Sequence, residues 1–393
     1  MFALGHVAAQ TTHQSSLALV GATVYPSPQS TAINDAVVVI TAGKIIAVGA
    51  RASISIPSDA RLIRCEGLFV TAGFQNSHVH FTEDKWNDAP TQSATTLTSN
   101  LRSMLTRYGF TTVVDTGSLL PNTVAIRKRI ESGDVAGPRI LTAGPPLYPP
   151  NGVPYYVREG IPPDLLKLLP QPGTPDEAVA AVRKNFDGGG DLVKLFTGSW
   201  VSRQRVVPMP LEVASAATAE AHRRGRMVFT HPSNLAGLEV ALSANVDVLA
   251  HAVENTDGLT PEHLRRMKQH DMALIPTLKL FGAEHASRSI LAEVADYATS
   301  GGQILFGTDV GYITDYDPLD EYLTMAKAGL SWQQIWASLT TNPSARFRES
   351  ARRGQVAKGM DGDIVVLGSD PAKELRAFAD VRYTIRAGRV IFP

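Results

Sequence analysis

His78 and His80 are separated by a single residue and follow a short apolar run at 68–72. On an extended chain, residues i and i+2 point to the same side, so both imidazoles can bind one metal ion from adjacent directions. The alternative is an ordinary polar pair at a strand end, which an isolated His-x-His favours. The residues that follow in the chain reverse this preference.

Four further polar residues lie within or directly after strand-like runs. They are Lys194 in the run 191–196, His231 after 227–230, His251 after 246–250 and Asp309 after 304–308. Either His231 or His251 alone would more often be a core histidine. Together these positions predict a metal site, because parallel strands of a barrel end at one face. The remaining histidines fall in the N-terminal tail, helices or loops, and we interpret them as structural or solvated: His6, His13, His222, His263, His270 and His285.

Imidazoles and a carboxylate are ligands that suit Zn²⁺, and also Mn²⁺, Fe²⁺ or Co²⁺. A divalent ion lowers the pKa of bound water from about 15.7 to about 7, which provides a hydroxide nucleophile at neutral pH. Asp309 could bind the metal through one oxygen and accept the proton of the water with the other. The predicted chemistry is therefore hydrolysis.

Lys194 has two interpretations. It either reaches solvent or pairs with an acid such as Asp191, or it has reacted with CO₂ to form a carbamate. A cationic lysine beside a metal ion is costly, whereas an anionic carbamate would bridge two metal ions through its two oxygens. We favour the carbamate.

The elements that must position these residues alternate between strand-sized apolar runs and amphipathic stretches, which predicts an α/β fold with a parallel sheet. The candidate strands are 68–72, 111–115, 139–142, 191–196, 227–230, 246–250, 273–276 and 304–308, with helices expected at 96–108, 121–132, 176–186, 211–224, 235–244 and 261–270. Eight repeats predict a (β/α)₈ TIM barrel over 68–349. A doubly wound sheet is the alternative, but it usually carries a glycine-rich phosphate loop where this chain has histidines.

The two ends of the chain are rich in short β-type runs. We expect residues 15–67 and 350–393 to form one composite β-sandwich domain beside the barrel. The 393 residues carry a formal net charge of +0, with 44% hydrophobic and 19% charged residues. This composition indicates a soluble protein and favours neither nucleic acid nor a membrane as partner.

Localisation is only weakly indicated by the sequence. Cys65 is the single cysteine, so no intrachain disulfide can form and the redox compartment is not decided. We predict a cytoplasmic protein. The alternative is export, because Val7-Ala8-Ala9 before Gln10 looks like the end of a signal peptide.

Taken as a set, these motifs resemble those of the amidohydrolase superfamily, and most closely its imidazolonepropionase-like and prolidase-like branch, from about residue 17 to 393. The motifs are Asn76-Ser77-His78-Val79-His80, Val193-Lys194-Leu195-Phe196, Thr230-His231, Ala250-His251, Gly307-Thr308-Asp309, Asn342-Pro343-Ser344-Ala345-Arg346 and the stretch 359–367. One departure is Ser77, in a stretch where many relatives carry Asp, and it leaves the substrate subclass open.

The resemblance implies a binuclear centre, with two Zn²⁺ per chain. His78, His80 and Asp309 would bind the more buried metal, His231 and His251 the second, and carboxylated Lys194 would bridge them. Asp309, as proton shuttle, and His251 are the expected catalytic residues. The implied reaction is hydrolysis of a C–N bond in an amide, dipeptide, carbamate or cyclic amide.

The substrate is expected to be a small molecule, and assembly as a homo-oligomer is left open. Candidate substrate contacts are Tyr148, Tyr155, Trp200, Arg203 and Tyr312, with Tyr156 in the same loop as Tyr155. An arginine that grips a carboxylate would favour a dipeptidase-like reaction. The open alternatives are a mononuclear deaminase or cyclic-imide hydrolase with unmodified Lys194, and a non-catalytic barrel.

Overall fold

The computed structural model describes residues 16–282 and 287–393. The strands in these ranges are β1 Leu17–Val24, β2 Ile33–Thr41, β3 Lys44–Ala50, β4 Arg61–Arg64, β5 Phe69–Ala72, β6 Phe74–Val79, β7 Phe110–Asp115, β8 Arg139–Thr142, β9 Val193–Phe196, β10 Gly198–Ser202, β11 Arg205–Pro208, β12 Val228–His231, β13 Val248–Leu249, β14 Ala273–Leu274, β15 Ile364–Leu367, β16 Val381–Arg386 and β17 Arg389–Phe392. The α-helices are α1 Ala94–Met104, α2 Leu120–Glu131, α3 Tyr155–Gly160, α4 Pro163–Leu166, α5 Pro175–Asp187, α6 Leu211–Arg223, α7 Leu235–Ser243, α8 Pro261–Gln269, α9 Arg288–Thr299, α10 Leu319–Lys327, α11 Trp332–Leu339 and α12 Thr341–Arg346.

Strands from both ends of the chain form one mixed sheet. Its order is β17-β16-β15-β5-β1-β2-β3, and β4 also pairs with β1. The apolar side chains of this sheet, including Leu19, Val70, Val366 and Ile385, form a core cluster of their own. The two chain ends therefore pair as expected. A two-layered sandwich and the domain boundaries at 67–68 and 349–350 stay predictions.

The parallel strands form two sheets, β6-β7-β8 and β14-β13-β12-β9. Isolated parallel bridges connect the sheet edges, from Leu147 to Leu195 and from Val79 to Val310. The run 304–308 contains no regular strand, but it lies between β14 and β6, because Leu305 N donates to Leu274 O and Ser77 N donates to Phe306 O. The parallel strands thus form two short ladders with single bridges between them, and a closed barrel stays a prediction.

The assignment of the run 68–72 as the first strand of the barrel is wrong, although the run does form a strand. Residues Phe69–Ala72 form β5, which pairs with β1 and β15 in the mixed sheet. The first strand beside β7 is β6, which contains His78. A short apolar run fits any buried strand equally well, so its composition does not reveal the sheet it joins.

The predicted helices correspond to α1, α2, α5, α6, α7 and α8. Ser93 caps the N-terminus of helix α1, since its side chain accepts a hydrogen bond from Thr96 N. The helix buries Leu97, Leu101 and Met104. The hairpin of β10 and β11, directly after β9, has no counterpart among the predicted elements. No helix in the described ranges is both long enough and apolar enough to cross a membrane.

Candidate metal centre

The six residues predicted to bind metal gather at the carboxyl ends of the parallel strands. His78 lies in β6 with His80 directly after it, Lys194 lies in β9, His231 ends β12, His251 follows β13, and Asp309 follows the run 304–308. We treat them as two groups, because the ligand atoms of His78, His80 and Asp309 lie within 4.8 Å of one another. We call His78, His80 and Asp309 the first half-site, and Lys194, His231 and His251 the second half-site.

The first half-site is compact. Asp309 Oδ1 lies 3.2 Å from His78 Nε2 and 2.9 Å from His80 Nε2. The two ring nitrogens lie 3.3 Å apart. In the described part of the chain, these three residues are the group whose ligand atoms all lie within 4.8 Å of one another. This spacing suits one shared metal ion.

Backbone hydrogen bonds fix the first half-site. Asp309 N donates to His78 O at 2.9 Å, and His80 N donates to Val310 O at 2.8 Å. Asp309 has a φ of 59°, in the left-handed region that few residues other than glycine adopt without cost. Such strain at a carboxylate aimed at two histidines is typical of a functional position.

Gly311 allows the chain to approach His80 closely. Its φ is 100°, and a Cβ there would lie 1.9 Å from His80 O. No other residue fits this position without moving the backbone.

His80 is oriented by the loop after β7. Its Nδ1 donates to Gly117 O at 2.8 Å, and its Nε2 is the nitrogen that faces Asp309 Oδ1 and would bind a metal. Buried Asp115 holds this loop through Ser118 Oγ at 2.6 Å and Gly117 N at 3.2 Å. Asp115 therefore positions His80 without touching the centre.

Ring contacts connect His231 to His251, and His251 to His78 of the first half-site. The ring centroids of His231 and His251 lie 4.5 Å apart, and those of His78 and His251 lie 4.6 Å apart. His251 Nδ1 lies 2.8 Å from Thr277 Oγ1, which itself donates to Pro276 O. Since that hydroxyl proton is already used, Nδ1 must be the donor. Nε2 of His251 is then the free ligand atom.

Lys194 is buried, with 2% of its surface exposed, and no hydrogen bond or ion pair of its Nζ is found within residues 16–282 and 287–393. The alternative that Lys194 pairs with Asp191 is wrong, because the Asp191 carboxylate pairs with Arg127. Burial lowers the pKa of Lys194 to about 7, which the charge of Asp309 partly opposes. A substantial neutral fraction is thus present at neutral pH, and the neutral amine is the form that reacts with CO₂.

The protonation states of His78, His251 and Asp309 suit a metal. Burial lowers the pKa of His78 to about 3 and that of His251 well below its usual value, so both rings are neutral. Burial acts to raise the pKa of Asp309, but His78 and His80 outweigh it and hold that pKa well below its usual range.

Several buried polar atoms of the cluster form no well-oriented hydrogen bond in the described structure: His78 Nδ1, both ring nitrogens of His231, and Asp309 Oδ1. Two of them nevertheless have ionisable neighbours, since Asp309 Oδ1 lies 2.9 Å from His80 Nε2 and His231 Nε2 lies 2.9 Å from Glu254 Oε1. Buried polar atoms without well-oriented partners, among imidazoles and a carboxylate, fit a bound cation. The donor set therefore suits a divalent metal.

The amidohydrolase family model matches residues 69–391. The chain belongs to the amidohydrolase family. Solved structures of similar fold include a candidate prolidase from Bifidobacterium longum, 25% identical with a TM-score of 0.81, covering 97% of this chain and 95% of that one. A Xaa-Pro dipeptidase with bound methionine is 21% identical, with a TM-score of 0.80, and covers 96% of this chain and 99% of that one. These similarities imply a TIM-barrel-like α/β fold for this amidohydrolase.

An uncharacterized protein from Mycobacterium tuberculosis is 34% identical over 240 residues, which is 54% of this chain and 61% of that protein. The match therefore spans less than two thirds of the length of this relative.

Most of the expected substrate residues of this amidohydrolase form a connected aromatic surface. Tyr155 contacts Tyr156 and Tyr156 contacts Tyr312, with ring centroids 5.4 and 5.7 Å apart, and Arg203 lies 5.5 Å from the Tyr155 ring. Tyr148 is instead buried against Phe196, at 4.7 Å. All of these roles stay predictions.

Three residues near the centre were not identified from the sequence. Glu254 Oε1 lies 2.9 Å from His231 Nε2. Thr277 orients His251, and Asp115 orients the loop that binds His80. Thr277 and Asp115 lie at the carboxyl ends of candidate strands 273–276 and 111–115. The rule that identified the histidines, that polar residues at the carboxyl ends of the strands share one face, therefore also identifies these two. Glu254 lies three residues beyond His251, so its position in the sequence indicates a place near the centre less clearly.

The three histidines interpreted as structural that lie in the described ranges are all engaged elsewhere: His222 with Asp247, His263 with Thr260 and His270 with Asn245. The other three, His6, His13 and His285, fall outside the described residues, as does the possible signal sequence.

Proposed function

We propose that this protein is a metal-dependent hydrolase that cleaves C–N bonds of amides, peptides or carbamates. The observation that carries the proposal is the convergence of His78, His80 and Asp309 within 4.8 Å, beside Lys194 and two further histidines. The binuclear form is our preferred version. In it, His78, His80 and Asp309 hold one metal, His231 and His251 hold the other, and a carbamate on Lys194 bridges them.

Zn²⁺ is the metal that we propose. Bound at this centre, it would polarise the scissile carbonyl and lower the pKa of the attacking water. Asp309 would accept the proton of that water on its carboxylate and deliver it to the leaving nitrogen. His251, held by Thr277, presents Nε2 toward the same place. Burial of the cluster excludes bulk water and strengthens each electrostatic contact.

Dipeptides are the substrate class that we propose first. Two similar structures, whose names describe a candidate prolidase and a Xaa-Pro dipeptidase, support this choice. Tyr155, Arg203 and Tyr312 are the proposed contacts on the aromatic side, where Arg203 would bind the substrate carboxylate. We further propose a closed (β/α)₈ barrel with a composite β-sandwich, cytoplasmic localisation and assembly as a homo-oligomer.

A panel of Xaa-Pro dipeptides, N-acyl amino acids and carbamates tests this proposal. We expect hydrolysis of at least one class, loss of activity with a chelator and recovery on addition of Zn²⁺ or Mn²⁺. Hydrolysis that is unchanged after complete metal removal would contradict the proposal. A panel with no hydrolysis, and no gain with any metal, would favour a non-catalytic barrel.

A mononuclear cyclic-imide hydrolase or deaminase is the second candidate. It is favoured by one observation: the ligand atoms of the first half-site alone meet within 4.8 Å among the described residues. In that case Lys194 stays unmodified. Hydrolysis of cyclic imides with a single bound metal would identify it.

A further inference from the structure

Glu254 stands beside the second half-site without a cationic side chain to neutralise it. Its Oε1 lies 2.9 Å from His231 Nε2, and its Oε2 accepts a hydrogen bond from the Trp200 indole. The side chain is 23% exposed. Within the described ranges it forms no ion pair with a lysine or arginine, so its negative charge remains available to a ligand.

The surroundings of Glu254 suit a cation. Trp200 fixes the carboxylate from the β10–β11 hairpin, and the rings of Tyr156, in α3, and Tyr312 lie 5.7 Å apart. Burial raises the pKa of both tyrosines, and the negative charge of Glu254 adds to both shifts. Aromatic faces attract cations, and a carboxylate at their edge strengthens that preference. An anionic group would be repelled here.

We propose that Glu254 binds the free α-ammonium group of a peptide substrate, and that Trp200 holds its carboxylate in position. This rests on the proposed hydrolase function. In a dipeptide, one carbon separates the α-nitrogen from the scissile carbonyl carbon, so these two atoms lie about 2.5 Å apart. The anchor for an α-ammonium must therefore adjoin the metal ligands. Glu254, in contact with His231, meets this condition.

The test uses a matched pair of substrates, L-alanyl-L-proline and N-propionyl-L-proline, which differ by the ammonium group alone. We expect the wild type to prefer the dipeptide, and Glu254→Gln to lower kcat/KM for it by about 30-fold, as for loss of a charged hydrogen bond. Activity on propionyl-proline should change less than about threefold, with unchanged metal content. Trp200→Phe, which removes the indole donor, should lower the preference for the dipeptide over propionyl-proline by about fivefold.

Glu262→Gln is the matched control, since Glu262 lies exposed on α8 and pairs with Arg265. It should behave as the wild type. An equal loss on both substrates in Glu254→Gln, or no loss on either, would overturn the inference. Loss of bound metal in Glu254→Gln would also overturn it, because Glu254 would then be a metal ligand.

Binding separates failure of this inference from failure of the proposed function. If the wild type cleaves neither substrate, calorimetry with L-alaninamide and propionamide compares the same two groups without turnover. We expect alaninamide to bind at least about tenfold more tightly than propionamide, and Glu254→Gln to remove the difference. Equal binding of the two amides to the wild type would refute the ammonium site whatever the reaction is.

Discussion

The two half-sites of this amidohydrolase are positioned by different means. In the first, the main chain holds the ligands: Asp309 N donates to His78 O, and His80 N donates to Val310 O. In the second, a side chain does so: Thr277 orients His251, while the His231 ring has no well-oriented hydrogen bond and none of Lys194 Nζ is found in the described structure. The first half-site is therefore organised by the main chain, and in our proposal the second is completed by a metal and by the carbamate of Lys194.

This difference has a consequence for how the centre assembles. A preorganised ligand set loses little conformational freedom when a cation binds, so the first half-site should have the higher metal affinity. The second half-site should depend on the carbamate of Lys194 and on the metal itself. The predictions below test that asymmetry, from the largest effect to the smallest.

Asp309→Asn should break the first half-site as a catalyst while leaving its backbone in place. Asparagine tolerates the left-handed conformation that Asp309 adopts at φ 59°, so folding should be retained. We expect turnover to fall by about 10³-fold or more, because the proton acceptor is lost. Steady-state kinetics and thermal unfolding measure the two effects. Undiminished turnover would refute the role of Asp309 as base.

Lys194→Gln should act on the bridge between the half-sites. Glutamine cannot form a carbamate, so we expect loss of the weaker metal and about a 10²-fold fall in kcat. Elemental analysis should show about one metal fewer than in the wild type. Lys167→Gln, at an exposed surface lysine, is the control. Wild-type metal content and activity in Lys194→Gln would contradict the bridging role.

Gly311→Ala tests the main-chain support of the first half-site. The added Cβ would lie 1.9 Å from His80 O at a φ of 100°, so we expect a loss of about 2–4 kcal/mol in the free energy of unfolding. Gly329→Ala is the matched control, because Gly329 has a φ of 91° with nothing near its missing Cβ. That variant should lose only about 1 kcal/mol, for backbone strain alone. Equal losses in the two variants would argue against close packing at His80.

Thr277→Val tests the side-chain support of the second half-site. Valine keeps the shape but removes the hydroxyl that fixes His251, and metal affinity should fall by about tenfold. Thr277→Ser should restore it. Thr112→Val serves as control, since the buried Thr112 hydroxyl forms no hydrogen bond. Metal titration under competition with a chelator gives the affinities. An affinity unchanged by Thr277→Val would mean that the histidine does not need this contact.

The sequence reveals the centre better than the strands that carry it. His231, His251 and Asp309 could be identified because the carboxyl ends of parallel strands share one edge, whatever the strand boundaries are. The assignment of 68–72 failed because an apolar run is compatible with two different sheets. The β10–β11 hairpin and the contact of Glu254 with Trp200 depend on the paths of long loops. Tertiary packing sets those paths, and local composition does not record them.

Metal content per chain, measured by elemental analysis on protein purified without chelators, tests the central claim most directly. Two half-sites that both function predict close to two equivalents in the wild type, and about one after Lys194→Gln. One equivalent in both proteins would contradict the binuclear centre and favour the mononuclear hydrolase.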